Sequence, residues 1–318
     1  MSAPEIVTFG EAMGLFLADA GTPLAHARRF TRTLAGAELN TAVALARLGH
    51  AVAFAGRVGD DPFGDDVRAT LRAEGVDAGA LRVDPSAPTG LLTRDQHGER
   101  RLRVVYHRAG AAGSRLTAGD LAALPIEQAR ALHVTGITPA LGPTARAATL
   151  AAVERARAAG VPVSFDPNFR ARLWSAEEAA KVLRPLALAA DLVLAGEEEA
   201  CWLSGCDDAA AAATWFLRRG ARAVAVKRGA RGAWVADGER ALAIAARPVA
   251  LPVDPVGAGD AFDAGFLSAW LREQPLERCG AVAAAVGAAC VQSAGDLAGL
   301  PTGAELAALL DDETEVDR

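Results

Sequence analysis

The sequence predicts an α/β fold: a mostly parallel sheet covered by helices on both faces, with a smaller β-rich insertion near its start. Three observations carry that prediction. From about residue 131, short apolar runs alternate with helical segments of roughly 10–15 residues. Several helical segments stop at a glycine, the residue that most easily takes the left-handed conformation ending a helix. Between Thr89 and Arg108, by contrast, apolar and polar residues alternate, as in strands with one wet face.

The elements follow in order. Residues 5–9 form a short apolar strand broken by Gly10, and a helix at about residues 39–48 ends at Gly49. Residues 51–55 are a second strand and residues 62–75 a second helix. Residues 89–94 and 100–108 make a hairpin around a glycine-containing turn at 95–99. That hairpin does not fit a parallel sheet. With segments near 13–17 and 30–34 it reads as a small lid. A strand at 132–135 then leads to a helix at 143–159 ended by Gly160, and to a strand at 161–166. The next helix, 176–184, has Ser175 as N-cap and Pro185 as its stop. A strand at 191–194, helices at 197–203 and 208–219, and strands at 223–227 and 233–236 follow. A glycine-rich loop at 257–259 opens a helix near Asp260 that runs to about residue 271, and another helix runs through 291.

Composition narrows the function. Of 318 residues, 51% are apolar and 23% charged, a globular balance. The longest clear apolar run, 281–291, falls short of the roughly 18 residues that span a bilayer. Residues 1–10 carry Glu5 and no basic stretch, so a secretory signal is not expected. With Lys+Arg 33 against Asp+Glu 39 the net charge is −6, which argues against nucleic acid as a partner. The four cysteines form no C-x-x-C pair and the five histidines no H-E-x-x-H, so neither a disulfide framework nor a zinc hydrolase is expected. The expectation is a cytoplasmic protein acting on small molecules.

Residues 254–266, DPVGAGDAFDAGF, carry the most chemistry. Small residues at Gly257, Ala258 and Gly259 let backbone N–H groups approach an anion, and a helix start adds its positive dipole end. Together these suit the charge of a transferring phosphoryl group. Asp260 sits where a carboxylate could take a proton from an alcohol. The same pattern also fits a helix cap after a glycine turn. Neither lysine, 181 or 227, follows a glycine, so a Walker loop is absent; Phe262 replaces the third glycine of a dinucleotide fingerprint.

This segment resembles the C-terminal signature of the ribokinase-like (PfkB) carbohydrate kinases. Residues 35–42, AGAELNTA, followed by Gly49 and Gly59, resemble the N-terminal signature, with Glu38 where many members have proline. The resemblance runs from Gly10 to about Pro301. It implies a single domain over residues 1–318 with the three-layer ribokinase-like sandwich, a lid built from about 12–34 and 89–108, ATP and Mg2+ as cofactors, and phosphorylation of a sugar hydroxyl. By the motif, Asp260 is the base and the amides of residues 257–260 form the anion hole. Gly36 and Asn40 reach the sugar hydroxyls. A dimer or larger homo-oligomer is expected.

Other residues resemble the 2-keto-3-deoxygluconate kinase branch: Glu38, Asp166-Pro167-Asn168-Phe169-Arg170, Leu173-Trp174, and Gly295-Asp296 with Leu300-Pro301. There, Tyr106, Arg108 and Asp296 touch the substrate, and Arg170 offers a fork for its carboxylate. Taken alone, Arg170 could equally serve a structural ion pair, Tyr106 and Arg108 an exposed strand, and Asp296 a surface turn. Leu92 stands where several members carry tyrosine. Glu199 matches the glutamate that organises Mg2+, although Gly196 replaces the asparagine of that element; a solvated helical turn is the other reading. Asn168, Lys227, Gly229 and Gly232, with Gly257 and Gly259, are assigned to the nucleotide. The resemblance implies transfer of phosphate from ATP to the terminal hydroxyl of 2-keto-3-deoxygluconate. A neutral sugar such as ribose or fructose, and a non-catalytic sugar-binding module, are the alternatives.

Overall fold

The computed structural model describes residues 3–95 and 103–316. Its first half holds β1 (Ile6–Phe9), β2 (Met13–Ala18), β3 (Phe30–Ala35), α1 (Ala37–Arg47), β4 (Val52–Gly59), α2 (Pro62–Ala73), β5 (Asp77–Asp84), β6 (Gly90–Arg94) and β7 (Val104–His107). The second half begins with β8 (Ala131–Thr135), α3 (Ile137–Ala140), α4 (Pro143–Ala158), β9 (Val163–Asp166), α5 (Ala176–Ala189) and β10 (Leu192–Gly196). It continues with α6 (Glu197–Ser204), α7 (Ala209–Leu217), β11 (Ala223–Lys227), β12 (Ala233–Asp237), β13 (Ala241–Ile244), α8 (Ala258–Leu271), α9 (Leu276–Cys290) and α10 (Gly303–Val316).

Nine strands form one sheet in the order β13-β12-β11-β10-β9-β8-β1-β4-β5. From β11 to β5 neighbours run parallel; β12 and β13 close the far end antiparallel. Strands buried on both faces need apolar side chains on both, which is why β10 opens with the unbroken run LVLA. Ile6, Phe54, Leu192 and Ala225 pack beneath α1, α8 and α9. Val7, Leu132, Phe165 and Val193 pack beneath α4, α5 and α7. The result is the expected three-layer sandwich. Strand order reverses beside β1: the chain first moves out to β5, then returns to β8 on the other side. Such a reversal opens a crevice beyond the carboxyl ends of the strands on either side.

A separate four-stranded sheet, β3-β2-β6-β7, has its own core of Met13, Leu15, Leu17 and Leu92. β2 and β6 run parallel, while β3 and β7 flank them antiparallel. These are the segments expected to leave the main sheet. The turn expected at 95–99 lies, beyond Asp95, outside the described residues, as do residues 100–102 of the second strand.

Pro185 does not stop α5, which continues to Ala189. Pro185 is exposed, while Leu186 and Ala187 are buried, so packing of the last turn outweighs the lost hydrogen bond. Strands β5 and β13 and helices α3 and α10 are additional to the elements expected. Helix α8 starts at Ala258, two residues before Asp260, with Gly257 as N-cap at φ 85°. Among the described residues no helix is long and apolar enough to cross a membrane.

Candidate active site

A cavity of about 350 Å³ lies between the two sheets, beyond the carboxyl ends of β1, β8, β9 and β11. Asp260 lines it from the first turn of α8 and is 9% exposed. Its Oδ2 accepts from Asn40 Nδ2 at 2.8 Å, and its Oδ1 accepts from Asn168 Nδ2 at 3.3 Å. Burial pushes the Asp260 carboxyl up to about 7, against the Asn40 hydrogen bond. The group is therefore poised to gain and lose a proton near neutrality. Gly257 gives α8 no side-chain cap. The N–H groups of a first helical turn lack intrahelical partners, and here they open beside Asp260. Gly257 and Gly259 line the cavity, whereas Ala258 does not.

Asn40 is placed by α1, whose N-cap Gly36 passes tightly over the segment after β1. A Cβ on Gly36 would clash with the Glu11 carbonyl oxygen. Asn40 also donates to Asp296 Oδ2 at 3.3 Å. The other oxygen, Oδ1, lies 3.0 Å from Arg94 Nη2, which also donates to Asp254 Oδ2 at 2.6 Å. Arg94 is 1% and Asp254 0% exposed. Gly295 N–H donates to the same Asp254 oxygen at 3.0 Å. Asp296 is thus no surface turn. Its carboxyl is raised by burial in spite of Arg94. Arg94, at the end of β6, ties the small sheet to the loop entering α8.

Lys227 ends β11 and reaches Asp166 Oδ2 and Asp263 Oδ1, both at 2.9 Å. Burial alone would lower its ammonium, but the charges of Asp166 and Asp263 outweigh it and hold it above its ordinary range. Burial, followed by the charge of Asp166, raises Asp263 well above the usual carboxylate range. Asp166 accepts from the backbone N–H of Asn168 at 3.0 Å and so fixes the turn, with Asn168 at φ 39°. Glu199 is no solvated turn: its Oε1 accepts from Phe169 N–H at 2.6 Å and its Oε2 from Gly196 N–H at 2.9 Å. Burial raises its carboxyl, with the charge of Asp166 adding to the effect.

On the small-sheet side the cavity is lined by Leu92, Tyr106 and Arg108. Arg108 Nε lies 3.1 Å from Glu11 Oε2, and its guanidinium carbon sits 5.1 Å from the Tyr106 ring centre. Arg170 also lines the cavity and is exposed; it makes no ion pair with a described residue, and its Nη1 donates to the Phe169 carbonyl at 3.2 Å. Gly229 and Gly232 do not line the cavity. Gly232 serves the backbone instead: at φ 81°, a Cβ there would clash with the Ile244 carbonyl oxygen at the end of β13. The structure adds Glu11, Glu38, Arg94, Asp166, Asp254 and Asp263 to the residues singled out for the site. Asp254 and Asp263 sit inside the 254–266 segment, and Asp166 opens the Asp-Pro-Asn-Phe-Arg element, so their positions carried the signal.

A family model described as "pfkB family carbohydrate kinase" matches residues 3–303. A 2-dehydro-3-deoxygluconokinase of Bacillus subtilis (strain 168) is 37% identical over 309 residues, 96% of this chain and 95% of the relative. An E. coli protein solved in complex with ATP and Mg2+ superposes with a TM-score of 0.91 at 26% identity, covering 98% of this chain and all of its own. A fructokinase from Vibrio cholerae O395, solved with fructose, ADP and a calcium ion, superposes with a TM-score of 0.83 at 31% identity, covering 96% and 99%.

Proposed function

This chain belongs to the pfkB family of carbohydrate kinases, and from that membership we propose that it transfers a phosphoryl group from ATP to the terminal 6-hydroxyl of 2-keto-3-deoxygluconate. The observation that carries the reading is the placement of Asp260: a carboxyl poised near neutrality, at the head of an uncapped helix, in a cavity that also holds Arg108 and Arg170.

In this reading the ionised Asp260 takes the proton of the substrate hydroxyl as its oxygen attacks phosphorus. Asn40 and Asn168 hold that carboxylate from both sides. The first-turn amides of α8 face the charge that grows on the transferring group. Arg108 and Arg170 take the sugar's carboxylate, Gly36 shapes the floor, and Asp296 and Tyr106 face the rest of the sugar. Leu92 adds an apolar wall. Lys227 and the turn through Gly229 and Gly232 lie on the nucleotide side.

The donor set suits Mg2+. Among the described residues no three carboxylates, histidines or cysteines form a metal cage. A magnesium ion normally keeps several waters and is held by one or two carboxylates plus substrate phosphates. Asp166 and Glu199 both face the cavity with hard oxygen donors and would hold it. When bound, it would neutralise charge on the phosphates. The strands of the small sheet, acting as a lid within one domain over 1–318, would exclude water. Phe30, exposed on the edge strand β3 and away from the cavity, supports assembly into a dimer or larger homo-oligomer. Four free cysteines suit a reducing, cytoplasmic compartment.

An ATP-consumption assay over aldonic, 2-keto-3-deoxy and neutral sugars tests the assignment. 2-Keto-3-deoxygluconate is expected to give the highest kcat/KM. A higher value for fructose or ribose overturns the substrate, and no consumption with any sugar overturns catalysis. Arg170→Ala is expected to lower kcat/KM for the sugar acid about 10–100-fold, the worth of a charge-assisted contact, with little change for fructose. Equal loss on both removes Arg170 from carboxylate recognition.

A further inference from the structure

We infer that Glu11 is a positioning residue whose charge governs acidic ligands: a carboxylate settles on Arg108 only as Glu11 takes up a proton. This rests on the sugar-acid reading above.

Glu11 follows Gly10 at the end of β1 and is 1% exposed. Among the described residues, the charged groups facing it are Arg108, just after β7, and Glu38 on α1. The neighbouring backbone brings no charge and is built to give room. A Cβ on Gly90 would lie 3.1 Å from Glu11 Oε1, and one on Gly113 would lie 2.5 Å from its Cγ. Neither oxygen of Glu11 accepts a hydrogen bond from a described residue. Arg108 Nε and Nη2 are likewise buried without a hydrogen-bond partner. Among the described residues these groups are joined by the 3.1 Å ion pair alone.

One guanidinium therefore faces two buried carboxyls, and the two are not equal. Glu38 Oε1 accepts from the Thr135 and Thr138 hydroxyls at 2.7 and 2.6 Å. Burial raises the Glu38 carboxyl too, but there those hydrogen bonds oppose the rise by supporting the charged form. Glu11 has only Arg108. With both carboxyls ionised, the local charge is negative and repels an anionic ligand. A ligand carboxylate that claims Arg108 also strips Glu11 of its stabiliser, so the proton goes to Glu11. Burial already pushes the Glu11 carboxyl up to about 7, with Arg108 opposing and Glu38 adding to the rise. A neutral sugar makes no such demand.

The test is calorimetry on the full chain with 2-keto-3-deoxygluconate and with fructose, from pH 6 to 9, in two buffers of different ionisation heat. Wild type should take up close to one proton with the acid at pH 8. Its affinity for the acid should fall about tenfold per pH unit above 7. Glu11→Gln should abolish the uptake and flatten the profile, and fructose binding should stay flat in both. Acid binding without proton uptake, or the same decline in Glu11→Gln, overturns the inference alone. Should Glu11→Gln fail to fold, the wild-type proton count decides. Fructose binding with no acid binding at any pH overturns the substrate reading and this inference with it.

Discussion

Asp260→Asn is expected to abolish turnover while making the folded chain more stable. An amide cannot take the hydroxyl proton, so kcat should fall by at least about 10²-fold. Its carbonyl oxygen can still accept from Asn40, so the fold around it is kept. The stability gain comes from the buried charge. The native carboxyl titrates at about 7, against about 4 in an unfolded chain. A group that binds its proton more tightly when folded weakens the native state as pH rises from 4 to 7. Above pH 7 that penalty is on the order of 4 kcal/mol, and it shrinks towards pH 4. Thermal unfolding at pH 8 should show a Tm raised by about 5–10 °C, with a smaller gain at pH 5. An equal or lower Tm at pH 8 would mean the carboxylate is better solvated than its 9% exposure indicates.

Arg94→Met is the second large effect, and it strikes stability. The substitution keeps most of the volume and removes the cation that pairs Asp254 and Asp296. Two carboxylates would be left buried without a counter-ion, a loss of about 3–5 kcal/mol. Urea unfolding at pH 7 measures it. Asp296, already raised by burial, would be raised further without Arg94. The penalty is therefore full at neutral pH and recedes as the pH falls through the native value. A deficit that does not recede in acid would point to lost packing instead. Because the pair joins β6 to the loop before α8, the variant should lose sugar affinity as well.

The parallel sheet was legible because strands such as β10 must be apolar on both faces, and helices such as α4 stop at a glycine. β5 was not: at the sheet's edge it leaves Val83 exposed and Asp84 buried, against the usual pattern, and Gly79 interrupts it. Pro185 misled because the force that continues α5 is burial of Leu186 and Ala187, which no local signal records. In the site, Asp260 was legible from a contiguous glycine-rich segment. Asn40, Asn168 and Asp296 were reached only through family resemblance. Arg94 was missed because it sits on an alternating hairpin strand, where a polar residue looks solvent-facing. Its partner Asp254 is 160 positions away in the chain. Glu11 was missed for the same reason: its meaning lies in Arg108 and in the glycines around it.

Those glycines set a rule for how this chain can drift. Gly113→Ala places a carbon 2.5 Å from Glu11 Cγ, so it should destabilise the protein by itself. Joined to Glu11→Ala, which removes that Cγ, it should cost less than the two single losses added together. Positions 11 and 113 are then not free to vary one at a time. Any descendant that abandons the acid at 11 gains licence to fill the hollow at 113, and the way back is shut once it does.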